Sequence, residues 1–412
     1  MYGALTASIL IIGGTFLVLT FAIVANKAWR ETRERWRRAR RRALEPAILA
    51  YAHGEGPSVL PALGGKLRFR DRRVVEEILL DHAQRVRGVE RERLGRAIDE
   101  LRYVDGYLAG LGSRRWWRRA DSAERLGIAG ATRATNRLVK ALSDPEPEVR
   151  IRAAKALGLV GGRAAVAPLI HALSEPNRWS TIRIADILAG MKQEVVDELV
   201  GEFEGMNTHA KLAALDILGR VRSLSVVAWL RQRLEDEERD VRARACHALG
   251  AIGDPDCGPV LLNAVADTEW PVRAMAAKAL GRIRHLPAIP ALSGAMRDRE
   301  WWVRANSAEA LRLMGPRGTE ALDRMLDDRD IYARHQAVLM LEESGILDRQ
   351  VDLLAKSGGP EREAAESLIR RFVRVGQMGR LRELLETHPD ARVREALAGM
   401  LGLPGPQAEG AR

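Results

Sequence analysis

"DTEWPVRAMAAKALGRIRH", residues Asp267 to His285, decides the fold. Val272, Ala276, Ala277 and Leu280 fall at the spacing that puts apolar side chains on one face of an α-helix. Gly281 follows them, where a first helix is expected to stop. The same phrase returns as "DPEPEVRIRAAKALGLVGG" from Asp144, "DEERDVRARACHALGAIGD" from Asp236 and "DREWWVRANSAEALRLMGP" from Asp298.

The residue after the Val of each phrase can be taken as the unit's zero. Anchors then stand at Arg119, Arg150, Thr181, Lys211, Arg242, Arg273, Arg304, Arg334, Arg362 and Arg394, with steps of 31, 31, 30, 31, 31, 31, 30, 28 and 32 residues. Between anchors a second apolar pattern repeats four residues apart: Leu169 and Leu173, Leu230 and Leu234, Leu261 and Val265, Leu292 and Met296. Pro168, Pro259 and Pro290 are expected at the starts of these second helices. One helical pair is too small to bury its own apolar face, but stacked pairs share a core. Strand-like alternation is absent. The fold class is therefore all-α, an α-solenoid of about ten helical hairpins.

These residues resemble the HEAT repeat, in particular the short bacterial type also found in phycobilin lyases, and the resemblance covers residues 113–402. It implies a hydrogen-bonded ladder along the stack made by acids six residues before the basic anchors. The pairs are Asp144 and Arg150, Asp236 and Arg242, Asp267 and Arg273, Asp298 and Arg304, and Asp328 and Arg334. A loop Asp can cap the next helix and also accept the guanidinium of its own or an adjacent unit. A pair that recurs five times reads as structure, not catalysis. Thr181 and Lys211 interrupt the series, so looser joints are expected there.

Residues 43–112 read as a degenerate helical cap, with "RRVVEEILLDHAQRV" and "RERLGRAIDELRYVDGYLAGL" keeping the helical period but not the repeat signature. Residues 403–412, rich in Gly and Pro, read as a disordered tail.

The chain carries a net charge of +11, but residues 27–42 hold nine Lys or Arg against two Glu, and residues 1–26 hold no charge. Basicity is therefore local and belongs with its neighbour. Tyr2 to Ala25 contains no charged residue and would form a helix about 36 Å long, enough for roughly 30 Å of hydrocarbon. The reading is a transmembrane anchor over residues 1–26 followed by a basic juxtamembrane segment over 27–42. A cleaved leader would need its positive charges on the other side. Positive flanks stay cytoplasmic, so the N-terminus is expected outside and the repeats inside, as a single-pass protein of the inner membrane. Trp29, Trp36, Arg37, Arg38, Arg40, Arg41 and Arg42 are then candidates for contact with lipid headgroups.

No enzyme signature is present. None of the eight His is followed by Glu, so the iron-binding dipeptides of the HEAT-repeat deoxyhypusine hydroxylases are missing, and no phosphate loop or nucleophile elbow occurs. No catalytic residue, metal ligand or cofactor is assigned. Cys246 and Cys257 read as free, structural thiols. The unexpected feature is aromatic. Trp116, Trp117, Trp179, Trp270, Trp301, Trp302 and Tyr332 all stand two or three residues before an anchor. Trp270, Trp301, Trp302 and Tyr332 are the candidate partner-binding strip, and sealing of the joints between units is the competing role.

Three functions are compatible with this pattern. The first is a membrane-tethered scaffold holding a protein partner. The second is a nucleic-acid cradle, as the resemblance to HEAT-like alkylpurine glycosylases would imply. It is disfavoured by acidic second helices such as "QEVVDELVGEFE" from Gln193. The third is chromophore handling of the phycobilin lyase kind, resting on the repeat type alone.

Overall fold

A computed structural model describes the backbone of residues 2–173, 178–356 and 358–403. The expected tail beyond Leu403 lies outside the described residues. Every regular element among the described residues is helical. The chain divides into two compact units, residues 1–172 and 173–412.

The first unit opens with one 51-residue helix, α1 (Tyr2–Ala52). It passes without a break through the boundaries expected at residues 26 and 42. Among the described residues no helix is long and apolar enough to cross a membrane. The side chains of residues 1–15, 17 and 18, most of the expected span, lie outside those described. From Leu19 to Trp36 every side chain of α1 is exposed, whereas Leu44, Ile48 and Tyr51 are buried. This lower end packs on α3 (Arg72–Arg85) and α4 (Val89–Glu100) through Val75, Ile78, Leu79, Leu94 and Ile98. The short α2 (Val59–Ala62) and α5 (Tyr103–Gly110) complete the cap. The second sequence stretch expected to be helical is cut at Arg102, which takes a left-handed backbone (φ 60°) between α4 and α5.

Beyond the cap, even-numbered helices are the first members of the hairpins. They are α6 (Trp116–Ile128), α8 (Pro147–Val160), α10 (Arg178–Gly190), α12 (Thr208–Val221), α14 (Arg239–Ile252), α16 (Trp270–Ile283), α18 (Trp301–Leu313), α20 (Ile331–Glu343), α22 (Pro360–Val375) and α24 (Ala391–Leu401). All ten anchors lie in them. Odd-numbered helices are the second members: α7 (Thr135–Ala141), α9 (Arg163–Leu173), α11 (Gln193–Glu202), α13 (Val227–Gln232), α15 (Gly258–Ala264), α17 (Ile289–Ala295), α19 (Pro316–Met325), α21 (Ile346–Leu353) and α23 (Gly379–Thr387). Pro259 and Pro290 open their helices as expected, but Pro168 sits inside α9, which begins at Arg163.

Gly281 does not end its helix. α16 continues to Ile283 and is closed by Arg284 in the left-handed region (φ 52°). The glycine is buried because the next first helix lies against it: a Cβ built there would stand 2.6 Å from the Ala310 Cα. Equivalent glycines meet equivalent alanines at Gly127 and Ala156 in the first unit (2.6 Å), and at Gly219 and Ala248 (3.0 Å) and Gly250 and Ala279 (2.7 Å) in the second. The "Ala-Leu-Gly" of the repeat is thus a contact surface. Its Gly, eight residues after one anchor, receives the Ala six residues after the next. At the following joint those positions hold Arg312 and Met340, and first-helix contact between α18 and α20 is sparser than between α16 and α18.

Two substitutions should separate packing from helix propensity. Gly294 lies in α17 with nothing within 4 Å of a Cβ. Gly294→Ala should raise stability by up to about 1 kcal/mol. Gly250→Ala should instead lower it by about 1–2 kcal/mol, because overpacking outweighs the same propensity gain. Chemical denaturation of the two variants checks this, and a stabilised Gly250→Ala would refute the contact assignment.

Candidate interaction surface

The ladder exists, and of the two pairings expected the carboxylate takes the guanidinium of the adjacent unit while the Arg of its own unit bonds the Asp carbonyl. Arg119, Arg242 and Arg273 each send Nη1 back to the backbone of their own loop, and Nε with Nη2 forward to the Asp of the next unit. Arg242 donates Nη1 to the Asp236 carbonyl (2.9 Å), while its fork reaches the Asp267 carboxylate at 3.0 and 3.1 Å. Arg273 repeats this with the Asp267 carbonyl (2.9 Å) and the Asp298 carboxylate (2.7 and 3.0 Å). In the first unit Arg119 forks onto Asp144 (both 2.7 Å). Each of Asp144, Asp236, Asp267, Asp298 and Asp328 also accepts the backbone N–H two residues on, which fixes the loop.

The series has gaps where the sequence changes. Arg150 holds the Asp144 carbonyl (2.9 Å), but the acid position of the next unit is Glu175, outside the described residues. Asp236 receives no anchor fork, because the preceding anchor is Lys211; Arg233 of that preceding unit stands 3.8 Å from its carboxylate. At the joint between α18 and α20 the fork is redirected. Arg297 takes the Asp328 carboxylate, and the largely buried Arg304 keeps only its carbonyl bonds to Asp298 (2.8 Å) and Arg299 (2.9 Å). Its guanidinium lies 4.7 Å from the Tyr332 ring centroid and its Nε has no partner. Arg334 likewise bonds the Asp328 carbonyl (2.7 Å).

The aromatic residues lie on this same edge, at the N-terminal ends of first helices. Trp270 is 37% exposed, Trp301 51%, Trp302 55% and Tyr332 58%. They come from α16, α18 and α20, consecutive first helices of the second unit. Trp301 and Trp302 meet edge to face with centroids 4.8 Å apart, the only ring contact in this group among the described residues. Rings that sealed the joints would be buried, and the joints are already filled by Val272, Val303 and Ala333, all fully buried. Trp116 and Trp117 are half exposed at the start of α6, with Arg115 and Arg118 stacked on Trp117. The side chain of Trp179 lies outside those described.

The basic segment is placed differently from the lipid-facing expectation at three positions. Arg40 makes a two-bond pair with the buried Asp71 (2.8 and 2.7 Å), Arg41 pairs with Asp81 and Glu45, and Arg37 pairs with Glu77. These Arg therefore fasten α1 to α3, because Glu77 and Asp81 on α3 and Asp71 just before it lie across from them. The guanidinium beside Asp71 holds its carboxyl below the ordinary range. Trp29, Trp36, Arg38 and Arg42 remain exposed, with Arg38 on Glu34 and Arg33 stacked on Trp29. Cys246 and Cys257 are buried and unpaired, and burial pushes the Cys246 thiol up to about 12. No metal-holding group of side chains occurs among the described residues.

Geometry and repeats together define an α-helical repeat protein of the HEAT kind. The family model described as HEAT repeats matches residues 104–189, 196–269 and 258–342, more than half of the sequence, and the chain belongs to the HEAT-repeat family. Among curated proteins none matches the sequence. Of solved structures, an engineered protein is similar at 19% identity over 73% of this chain and 98% of its own, with a TM-score of 0.35. Kap121p bound to Nup53p is similar at 14% identity and a TM-score of 0.43, covering 88% of this chain, which spans about half (49%) of that one. The CpcE and CpcF complex of phycocyanin lyase from Nostoc sp. PCC7120 is similar at 21% identity over 58% of this chain and 94% of its own, with a TM-score of 0.28. Likeness at this level says nothing about what this chain binds.

The ladder makes stability depend on acid pH. Burial pushes the Asp267 and Asp298 carboxyls up, but the Arg242 and Arg273 forks outweigh it and hold them below the ordinary value of 3.8. A depressed folded-state pKa contributes stability that is complete above 3.8 and lost as pH falls through the lower folded value. Asp267→Asn should cost about 2 kcal/mol at pH 7 by removing a charge-assisted pair. The cost should shrink as pH falls below 3.8, which unfolding titrations at pH 7 and through the acid range check.

Proposed function

We propose that this chain is a scaffold, not an enzyme: a HEAT-repeat array that captures a protein partner on exposed first-helix edges and holds it at the inner face of a membrane. The observation that carries the binding half is the exposed pair Trp301 and Trp302, in contact with each other and flanked by Trp270 and Tyr332 on neighbouring first helices. Large, stiff aromatic side chains lose little conformational entropy on contact and dominate protein interfaces. Tyr332 is stiffened further by the Arg304 guanidinium beneath it. The perturbed acids beside the row, Asp267, Asp298 and Asp328, are each engaged by an arginine of the array.

The tether rests on the apolar sequence Tyr2–Ala25. It is supported by the exposed end of α1, where Phe21, Ile23 and Val24 find no protein partner. The N-terminus lies outside and the repeats in the cytoplasm, because Arg and Lys follow the apolar run. Arg37, Arg40 and Arg41 then join the anchor helix to the cap, leaving Lys27, Arg30, Arg33 and Arg35 exposed for headgroups.

Both halves are testable separately. Crosslinking in intact cells should capture a partner with the native chain and lose it with Trp302→Ala. The melting temperature should stay within a degree or two, since a half-exposed indole contributes little to folding. A large loss of stability with capture intact would assign the row to packing. For topology, a reporter fused after Arg412 should be active only in the cytoplasm, and deletion of residues 1–26 should release the chain from the membrane fraction. An exported reporter or unchanged partition refutes the tether and leaves the aromatic site standing.

A further inference from the structure

The opposite ends of the first helices in the second unit carry different chemistry. A groove of about 760 Å³ crosses the C-terminal ends of α12, α14 and α16. Gly219 and Gly250 form its floor, so backbone instead of side chain lies beneath, and Arg220, Arg222, His247 and Arg282 stand around it. Arg222 and Arg282 are exposed and have no acidic partner among the described residues. Arg220 is bonded to Asp186 (2.7 Å) and Arg244 to Asp216 (3.0 Å), and Lys278 adds a further cation. The charged residues lining the groove are thus cationic, Arg220, Arg222 and Arg282, and Arg220 alone among them is bonded to an acid.

His247 stands among them with a buried Nδ1 that has no hydrogen-bond partner; Asp216 is 3.8 Å away, beyond reach. Burial first, and then the cations Arg282, Arg244 and Lys278 against the single Asp216, hold this imidazole below its ordinary pKa. Basic residues at helix C-termini commonly answer the helix dipole. Here the ends are already closed, by Arg222 N–H on the Leu218 carbonyl, Gly253 N–H on Leu249 and Arg284 N–H on Gly281. The dipole also gives no reason for a buried, unpartnered imidazole nitrogen within the cationic ring.

We infer that this groove is an oxyanion-binding site, in which the Arg222 and Arg282 guanidinium groups hold a phosphoryl or carboxylate group beside His247. Guanidinium forks match both groups in two-bond geometry. A bound negative charge favours the imidazolium, so binding draws proton from the buffer onto His247 and is stronger on the acid side of neutrality. The site is separate from the aromatic row, so either can fail alone.

The full chain is titrated with sodium phosphate, with hexaglutamate and with sodium chloride at matched ionic strength, and melting and calorimetric binding are followed at pH 6 and 8. Phosphate or hexaglutamate should raise the melting temperature above chloride, with affinity at least tenfold lower in the double variant Arg222→Asn/Arg282→Gln. Asn tolerates the left-handed backbone at 222 (φ 57°), and both positions are exposed, so folding in chloride should be unchanged. Preference for phosphate identifies a phosphoryl ligand, and preference for hexaglutamate identifies acidic side chains of a protein. Binding heats in two buffers of different ionisation enthalpy should report proton uptake that disappears in His247→Gln. Equal melting in all three solutes, a comparison that needs no variant, overturns the site. So does unchanged affinity in the double variant, and binding without proton uptake overturns the role of His247.

Discussion

Close approach of consecutive first helices is the constraint on which the rest of the fold depends. A guanidinium on one helix can reach the loop of the next only if the two axes are held near contact distance. The glycine eight residues after each anchor permits this by leaving nothing between its backbone and the alanine of the neighbour. Where glycine and alanine are present, at the joints from α12 through α18, buried Ala and Leu fill the remaining space, and the forward fork forms at the α14–α16 and α16–α18 joints. Where Arg312 and Met340 replace them, Arg304 loses its carboxylate and lies under Tyr332. At that joint Arg297 takes the carboxylate, and the anchor arginine lies beside an exposed ring instead.

Much of this was legible in the sequence, because repetition averages away local ambiguity. Ten anchors spaced near thirty-one residues fall in ten first helices, and the burial of Leu261, Leu292 and Met296 follows directly from their spacing. Gly281 was misread as a stop because a glycine after an apolar run reads alike for a C-cap and a close contact. Only the position of the neighbouring helix distinguishes them. The forward direction of the Arg–Asp bonds was hidden for the same reason: six residues back and twenty-five forward are both near in space once the hairpin closes. Arg37, Arg40 and Arg41 read as lipid contacts since a run of charge does not reveal acids 31 to 40 residues downstream, on α3 and at its start.

The candidate sites divide similarly. The aromatic row was visible as a periodic enrichment, and its exposure was not, since an indole at a helix start can turn inward or outward. The groove around His247 follows from the repeat register, which the sequence shows only as spacing. Arg220 and Arg282 both stand nine residues after their anchors and Gly219 and Gly250 eight, and the stacking of α12, α14 and α16 brings these positions together with His247.

That register also explains how one array can carry two unlike surfaces. Each first helix of the second unit presents its N-terminal end to the edge bearing Trp270, Trp301, Trp302 and Tyr332, and its C-terminal end to the edge bearing Arg220, Arg222 and Arg282. A helix of fourteen residues separates those edges by about 20 Å. The core between them is alanine, valine and leucine, so side chains at either end can change without altering the packing that sets their spacing. On the N-terminal edge the loop Asp recurs, while the positions just before the buried Val or Ala vary and hold Trp270, Trp301, Trp302 and Tyr332 in α16, α18 and α20. The C-terminal edge has no ladder, so cations can accumulate there without losing a structural partner.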